Sequence, residues 1–203
     1  MQSTYVKVKT IMDETASSTT YFATAARPNT SFTMANTAFA STHNGGGAVI
    51  TATTAGSSDS GKTVTLTGTD LNGKSQTEVI TLPGSATTTS GTTGAFLTIT
   101  SATVSAQPAA NVSLGMTADV FGGIFAGRTR VRQANVASGG AIGSVEVKNG
   151  SITGTTQLTL RTQATEGDIS TVNIPQDGIL YTSGAYISFS EVNCNSVTVY
   201  FDA

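Results

Sequence analysis

The sequence predicts an all-β protein in which an extended N-terminal arm precedes two small antiparallel β-sandwich domains, Ig-like or jelly-roll-like in their strand patterns. The composition is rich in Ser and Thr with 22 Gly, and only 11% of residues are charged, which favours short strands and turns. Short runs of alternating apolar and polar residues recur between Gly, Pro and Asn turn signals. Windows rich in Ala, Leu, Glu and Lys, which would indicate helices, are missing.

Residues 1–47 are predicted to form the arm or extended segment. Tyr5 to Thr10 alternates polar and apolar side chains, which indicates a short strand, either an edge strand or part of the arm. Residues 11–47 are weakly patterned, with a few aromatic and Met residues isolated among Ser, Thr, Ala and Asn. We therefore expect this segment to be extended or irregular chain that lies on another surface.

Residues 48–118 are predicted to form the first β-sandwich domain. Five or six short strands fit between Ala48 and Met116, enough for a small antiparallel sandwich. Ser85 to Gly94 is nearly pure Ser, Thr and Gly and predicts a loop. Thr117 to Gly127, which contains two adjacent glycines, is the best candidate for a domain boundary.

Residues 119–203 are predicted to form the second β-sandwich domain. Turn signals at Asn149-Gly150 and Asp177-Gly178 separate short alternating runs. The last run is the cleanest, with Val197, Val199 and Phe201 on one face. This half therefore also predicts an antiparallel sandwich of the jelly-roll-like kind.

The clearest local signal is a hairpin between Val64 and Leu82, where two Thr-rich alternating runs meet at an Asn-Gly pair. A two-residue loop would place the apolar residues of the two runs on opposite faces. A three-residue loop, Leu71-Asn72-Gly73, pairs Val64 with Ile80 and collects four apolar residues on one face: Val64, Leu66, Ile80 and Leu82. The hydrophobic pattern therefore predicts the longer loop, with Gly73 in the left-handed position.

Glu78 interrupts this apolar face, because the predicted register places it opposite Leu66. Two interpretations stay open. Glu78 lies near the hairpin tip, where the face is already wet, or it forms a salt bridge in an interface.

Arg128, Arg130 and Arg132 project from one side of a predicted strand and concentrate positive charge in a weakly charged protein. One interpretation is a solvated strand face that also protects a sheet edge. The other is an interface that docks electrostatically onto an acidic partner surface. Binding to nucleic acid is disfavoured because no aromatic residues alternate with these arginines.

The sequence predicts no enzyme, no catalytic or cofactor-binding residue and no metal site. His43 and Cys194 are the single histidine and the single cysteine, and no pattern brings them together. One cysteine also excludes an intrachain disulfide and a zinc site built from cysteines. Asp70-Leu71-Asn72-Gly73 matches part of a calcium loop, but the later ligands are missing and hairpin chemistry explains it better.

The charge and apolar patterns also narrow the expected partners and location. A net charge of −2 argues against an overall attraction to nucleic acid or to an anionic membrane. The N-terminus MQSTYVKVKT lacks the apolar core of a secretory signal, and the longest apolar run is far below the ~20 residues of a membrane helix. We expect synthesis in a cytoplasm without a signal peptide.

Several strand-and-turn motifs resemble structural proteins of tailed bacteriophages. The segment Thr63 to Gly115 carries the run VTLTGTDLNGKSQTEVITLPG, followed by GAFLTITSATVS and NVSLG, and it resembles a module common in phage virion proteins. The C-terminal IPQDGILYTSGAYISF and SVTVYF are similar to the closing strands of such proteins. The resemblance covers over half of the chain, excludes residues 11–47, and carries over no catalytic residue.

The resemblance implies a non-enzymatic virion component made of β-sandwich domains. Proteins of this size and class resemble capsid decoration or cement proteins, which sit on the head lattice as trimers and bind the major capsid protein through an extended N-terminal arm. Residues 1–47 suit such an arm, and the expected location is the virion. Alternatives are a tail, neck or fibre subunit, or a carbohydrate-binding adhesin module, which the missing Trp disfavours.

Overall fold

A computed structural model describes residues 5–12, 18–38, 46–56, 58–85, 87–92, 94–175, 177–190 and 192–202. In these ranges the protein is all-β, as its composition predicts, and forms no helix. The strands are β1 (Val6–Met12), β2 (Ala23–Ala26), β3 (Gly46–Gly47), β4 (Ile50–Thr54), β5 (Thr63–Asp70), β6 (Ser75–Thr81), β7 (Thr88–Ser90), β8 (Phe96–Val104), β9 (Val112–Met116), β10 (Asp119–Phe125), β11 (Thr129–Ser138), β12 (Ser144–Asn149), β13 (Thr155–Arg161), β14 (Ile169–Asn173), β15 (Ile179–Tyr181), β16 (Ala185–Ser190) and β17 (Cys194–Asp202).

The chain divides into two compact units. Unit 1 comprises Met1–Thr15, Ala40–Gly46 and Ala118–Ala203, and unit 2 comprises Ala16–Phe39 and Gly47–Thr117. The main division therefore lies at the start of the predicted boundary segment, most of which is strand β10. Segments from residues 1–47 belong to both units.

Unit 1 contains two antiparallel sheets. One has the strand order β1-β17-β11-β14, with β15 also paired to β11, and the other has the order β13-β12-β16-β10-β3, of which β3 contributes only Gly46 to unit 1. Alternate residues of the strands are buried in one apolar core, as the 2-residue period of a half-buried strand requires. Its members include Ile11, Val131, Val136, Val145, Val147, Leu160, Ile187, Val197, Val199 and Phe201.

β1 is an edge strand that pairs with β17 from Val6↔Asp202 to Met12↔Ser196. The strand predicted from the alternation of the first residues is confirmed, and Ile11 anchors it in the core. Gly122 of β10 makes room for this anchor, because a Cβ there would lie 2.6 Å from an atom of the Ile11 side chain. Gly122 of the predicted boundary segment therefore serves packing within unit 1.

Unit 2 also contains two sheets, with the orders β2-β9-β4-β7 and β6-β5-β8. Its core includes Phe22, Phe32, Ile50, Val64, Leu66, Ile80, Leu82, Phe96, Ile99, Val112 and Leu114. Two isolated aromatic residues of the weakly patterned segment, Phe22 and Phe32, are thus core residues. The six strands β4 to β9 confirm the number predicted between Ala48 and Met116.

The hairpin of β5 and β6 has the predicted register and loop. Val64 pairs with Ile80, and the Gly73 backbone N–H donates to the Asp70 carbonyl oxygen at 2.9 Å. Gly73 has φ 77°, the left-handed conformation that the three-residue loop requires. Asp70 Oδ1 accepts hydrogen bonds from the backbone N–H groups of Asn72 and Lys74, which fixes the turn. The predicted apolar face is buried.

The prediction of a loop over Ser85 to Gly94 is wrong in its middle. Thr88–Ser90 forms strand β7, which pairs with β4 through contacts such as Thr53 Oγ1 to Thr88 Oγ1 at 2.8 Å. The composition of this segment concealed the strand, because Ser and Thr side chains suit both an edge strand and a loop.

Candidate functional site

The three arginines lie at the beginning of β11 in unit 1. Arg128 precedes the strand and is exposed, whereas Arg130 and Arg132 lie within it and are half-buried. β11 is flanked by β17 on one side and by β14 and β15 on the other. The interpretation that these arginines protect a sheet edge is therefore wrong, because β11 is an internal strand.

A β-bulge decides the direction of Arg132. Val131 pairs with Phe201 and Gln133 pairs with Tyr200, so that Arg132 is the extra residue on β11. Its Nε donates to Asp202 Oδ2 at 2.7 Å. This hydrogen bond raises the pKa of Arg132 above its ordinary value, and the negative charges of Asp202 and Asp177 add to the effect.

Arg130 is held by a different contact. Its Nη1 donates to the backbone carbonyl oxygen of Asp177 at 2.7 Å, in the turn that precedes β15. Arg128, Arg130 and Arg132 together form what we call the arginine end of unit 1. Two of the three side chains are thus positioned by contacts within the unit, while the third is exposed to solvent.

Two lysines of β1 lie on the face that turns toward β10. The Lys9 ammonium donates to the Gly123 carbonyl oxygen, and burial lowers the pKa of Lys9. The Lys7 Nζ lies 5.8 Å from the centre of the Phe125 ring, within the range of a cation–π contact. Lys7 pairs with Phe201, which in turn pairs with Val131, so its charge adds to the arginine end.

Glu78 is buried within unit 2 and only 2% exposed. It pairs with Leu66 as the register predicts, but the interpretation that its face is wet is wrong. The Glu78 carboxylate accepts a hydrogen bond from the Thr92 backbone N–H and lies against Gly91, where a Cβ would come within 2.6 Å. An interface role for Glu78 stays a prediction, and the side chain offers almost no surface to a partner.

Asp59 forms a buried polar contact that the sequence did not reveal. Its Oδ1 accepts hydrogen bonds from Lys62 Nζ at 2.9 Å and from the Ala109 backbone N–H at 2.6 Å, and its Oδ2 accepts one from Ala110. Burial raises the pKa of Asp59, but the bonds from Lys62 and the two backbone groups outweigh it and hold this pKa below its ordinary value. Asp59 thus ties together two loops of unit 2.

The residues considered for catalysis give no site in the described part of the chain. His43 lies outside the described residues. Cys194 is buried, with its Sγ 3.2 Å from the Ser196 carbonyl oxygen. Among the described residues, no group of three or more His, Cys, Asp or Glu side chains is placed to hold a metal ion.

No family model, curated protein or solved structure matches this chain. Within the described ranges, no helix is long and apolar enough to cross a membrane. Among the described residues, we take the arginine end as the candidate binding surface, because a bulge and two internal contacts position two of its three arginines.

Proposed function

We propose that this protein is a non-enzymatic structural component of a bacteriophage virion, a capsid decoration or cement protein that binds and stabilises the head shell. The observation that carries this proposal is the arginine end, where internal contacts position Arg130 and Arg132 beside the exposed Arg128. Charge fixed in this way suits docking onto an acidic surface of a neighbouring virion protein, because little side-chain freedom is lost on binding.

The other ionisable groups favour an assembly role over chemistry. Asp59 and Glu78 connect loops and strands of unit 2, and Lys9 caps a backbone carbonyl of unit 1. A catalytic group must reach a substrate within hydrogen-bond distance. Carboxylates buried against backbone donors stabilise the fold and leave binding to the exposed surfaces.

In this proposal the two units act as two β-sandwich domains that attach the protein to the shell through their surfaces, because strand β1, Phe22 and Phe32 of the predicted arm are already part of the sheets and cores of these units. A shell displays many copies of the same binding site, so that modest single contacts add up through multivalency. Stabilisation of the head then requires no large apolar interface on one copy. The resemblance of the motifs between Thr63 and Gly115 and in the last strands to structural proteins of tailed bacteriophages supports the same class.

The direct test mixes the purified full chain with heads that lack it. We expect the protein to sediment with the heads and to raise the temperature at which they open. Arg128→Glu should weaken attachment, while Lys74→Glu, which reverses an exposed charge on the hairpin loop of unit 2, should leave it unchanged. Absence of binding, or binding without a gain in heat resistance, would overturn the decoration function.

A tail, neck or fibre position is the alternative within the same class. Electron microscopy of intact virions carrying a labelled chain separates the positions directly. Label on the head surface supports the decoration function, and label on the tail or neck overturns it while keeping the protein in the virion.

A further inference from the structure

Three loops lie together at the end of unit 1 opposite the arginine end. The Gly139 N–H donates to the Asn193 carbonyl oxygen at 3.0 Å, and the Ser138 N–H donates to the Asp168 carbonyl oxygen at 2.9 Å. Thr162 Oγ1 donates to the Ala141 carbonyl oxygen at 2.9 Å. We call residues 139–143, 162–168 and 192–193, together with the flanking Ile169, the loop end of unit 1.

The loop end exposes one large apolar side chain from each of its segments. Ile142 is 73% exposed, Ile169 is 72% exposed and Val192 is 59% exposed. Single exposed apolar residues are common on protein surfaces, and here three of them lie on neighbouring segments that are joined by hydrogen bonds. A second surface that covers these side chains would remove apolar area from water, which favours association.

Charge also distinguishes the two ends of unit 1. The loop end carries the exposed carboxylates of Glu166 and Asp168, and Asp119 lies beside it because β10 pairs Asp119 with Ser190 at the turn before Val192. Arg161, the last residue of β13, is the one cation within two residues of these described segments. The described part of the loop end is therefore negative on balance.

The arginine end keeps the opposite sign. Its three arginines and Lys7 outnumber the two carboxylates beside them, Asp177 and Asp202. β11 runs from one end to the other over ten residues, so the two charged regions lie about 30 Å apart. This distance is about four Debye lengths at physiological ionic strength, so salt screens their attraction within one molecule.

We propose that the loop end of one copy docks onto the arginine end of a second copy. The two surfaces have complementary charge, and Ile142, Ile169 and Val192 supply apolar area that solvent otherwise covers. Such a head-to-tail contact uses two different patches, so it closes into a ring of three or more copies or continues as a filament. This proposal rests on the proposed virion function, in which the arginine end docks onto an acidic surface of a neighbouring protein. It identifies one such neighbour as another copy of the chain.

The first test measures the mass of the full-length protein by native mass spectrometry and sedimentation velocity over a dilution series. We expect oligomers for the wild type and a shift toward monomer for Ile142→Ser and Ile169→Ser. Val79→Ser is the matched control, because Val79 is a valine of unit 2 that is 56% exposed. A wild type that stays monomeric at every concentration, or a control that dissociates as readily as the two variants, overturns the proposal.

The second test exchanges charge between the ends. Arg128→Glu and Glu166→Arg should each raise the dissociation constant about tenfold, and the double variant should recover most of the loss, because the two charges then attract again. Both side chains are exposed, so the variants should unfold at the same temperature as the wild type. Losses that simply add in the double variant overturn the head-to-tail contact.

The outcomes separate the two proposals. Oligomers that follow the charge exchange, from a protein that is absent from virions, support the contact and overturn the virion function. A monomer in solution that nevertheless decorates heads supports the virion function and overturns the contact.

Discussion

Strands β5 of unit 2 and β11 of unit 1 are both internal strands, and both lie beside a bulge, yet the bulges have different effects. Opposite β5 the extra residue is Thr100, on the neighbouring strand β8. Gly68 lies at this point, and a Cβ there would come within 1.9 Å of the Thr98 carbonyl oxygen. In β11 the extra residue is Arg132 itself, and its long side chain turns to the Asp202 carboxylate.

The difference shows that a bulge can bring two backbones together or can redirect a side chain. The bulge beside Gly68 leaves no room for a side chain and permits close approach of β5 and β8. The bulge at Arg132 preserves burial on both of its sides. Thr129 and Val131 are buried before it, and Ala134 and Val136 are buried after it. The strand therefore stays in the core while a charge turns outward. The first therefore serves stability and the second positions the surface proposed for binding.

The largest expected effect in this comparison comes from Gly68→Ala. The added methyl meets backbone of β8 that cannot move freely, so the free energy of unfolding should fall by about 3 kcal/mol. Gly73→Ala is the control, since Gly73 has φ 77° but nothing within 4 Å of a Cβ, and it should cost about 1 kcal/mol. Urea denaturation checks both values, and equal losses would contradict the close approach of β5 and β8.

Asp59→Asn should cause the next largest loss of stability. The substitution removes the charge that accepts from Lys62 and from two backbone N–H groups, and we expect a loss of about 2 kcal/mol in the free energy of unfolding. Asp168→Asn, at an exposed position, is the control and should change stability by less than about 0.5 kcal/mol.

The same residue predicts a pH dependence. The pKa of Asp59 lies below 3.8 in the folded protein, so the unfolded chain takes up its proton first as pH falls. The stability that Asp59 supplies is therefore present above about pH 4 and is lost as pH falls through the lowered pKa. Urea denaturation of the wild type and of Asp59→Asn at several pH values should give curves that converge in acid, and a difference that persists there would contradict this account.

Glu78→Gln tests the buried carboxylate that accepts from the Thr92 backbone N–H. The amide keeps the shape of the side chain and can still accept from the Thr92 N–H, so the loss should be about 1 kcal/mol, the difference between a charged and a neutral acceptor. Thermal unfolding measures this loss, and Glu166→Gln, at an exposed position, is the control. A loss as large as that of Asp59→Asn would show that the two carboxylates contribute alike.

Arg132→Gln should have the smallest effect on stability, because its contact with Asp202 is open to solvent on one side. We expect the melting temperature to fall by about 2 °C or less, and this difference should shrink as salt is added. In terms of free energy, the loss of attachment to heads should be larger than the loss of stability. If the opposite holds, the bulge at Arg132 serves stability as the bulge beside Gly68 does.

Prediction from sequence succeeded where the signal is local. The hairpin register followed from the two-residue period of β5 and β6, because a slip by one residue would have exposed Val64 and Leu66. The alternation in β1 and β17 likewise predicts these two strands correctly. Ser and Thr in β7 gave no such signal, since their side chains are compatible with both strand and loop.

The candidate site was predicted only as a set of residues. The cluster of arginines was visible in the sequence, but their partners Asp177 and Asp202 lie 47 and 70 residues away. Asp59 was missed because its backbone donors, Ala109 and Ala110, are about as remote. Charge placement therefore depends on which distant segments the fold brings together.

By itself the sequence determined that the protein is all-β, where most strands lie, and how the central hairpin pairs. These properties depend on neighbouring residues, through side-chain alternation and turn conformation. Only the tertiary structure decided that β1 pairs with β17, that Glu78 is buried, and that a bulge turns Arg132 toward Asp202. Each of these depends on contacts between residues far apart in the chain, which packing of the whole core selects.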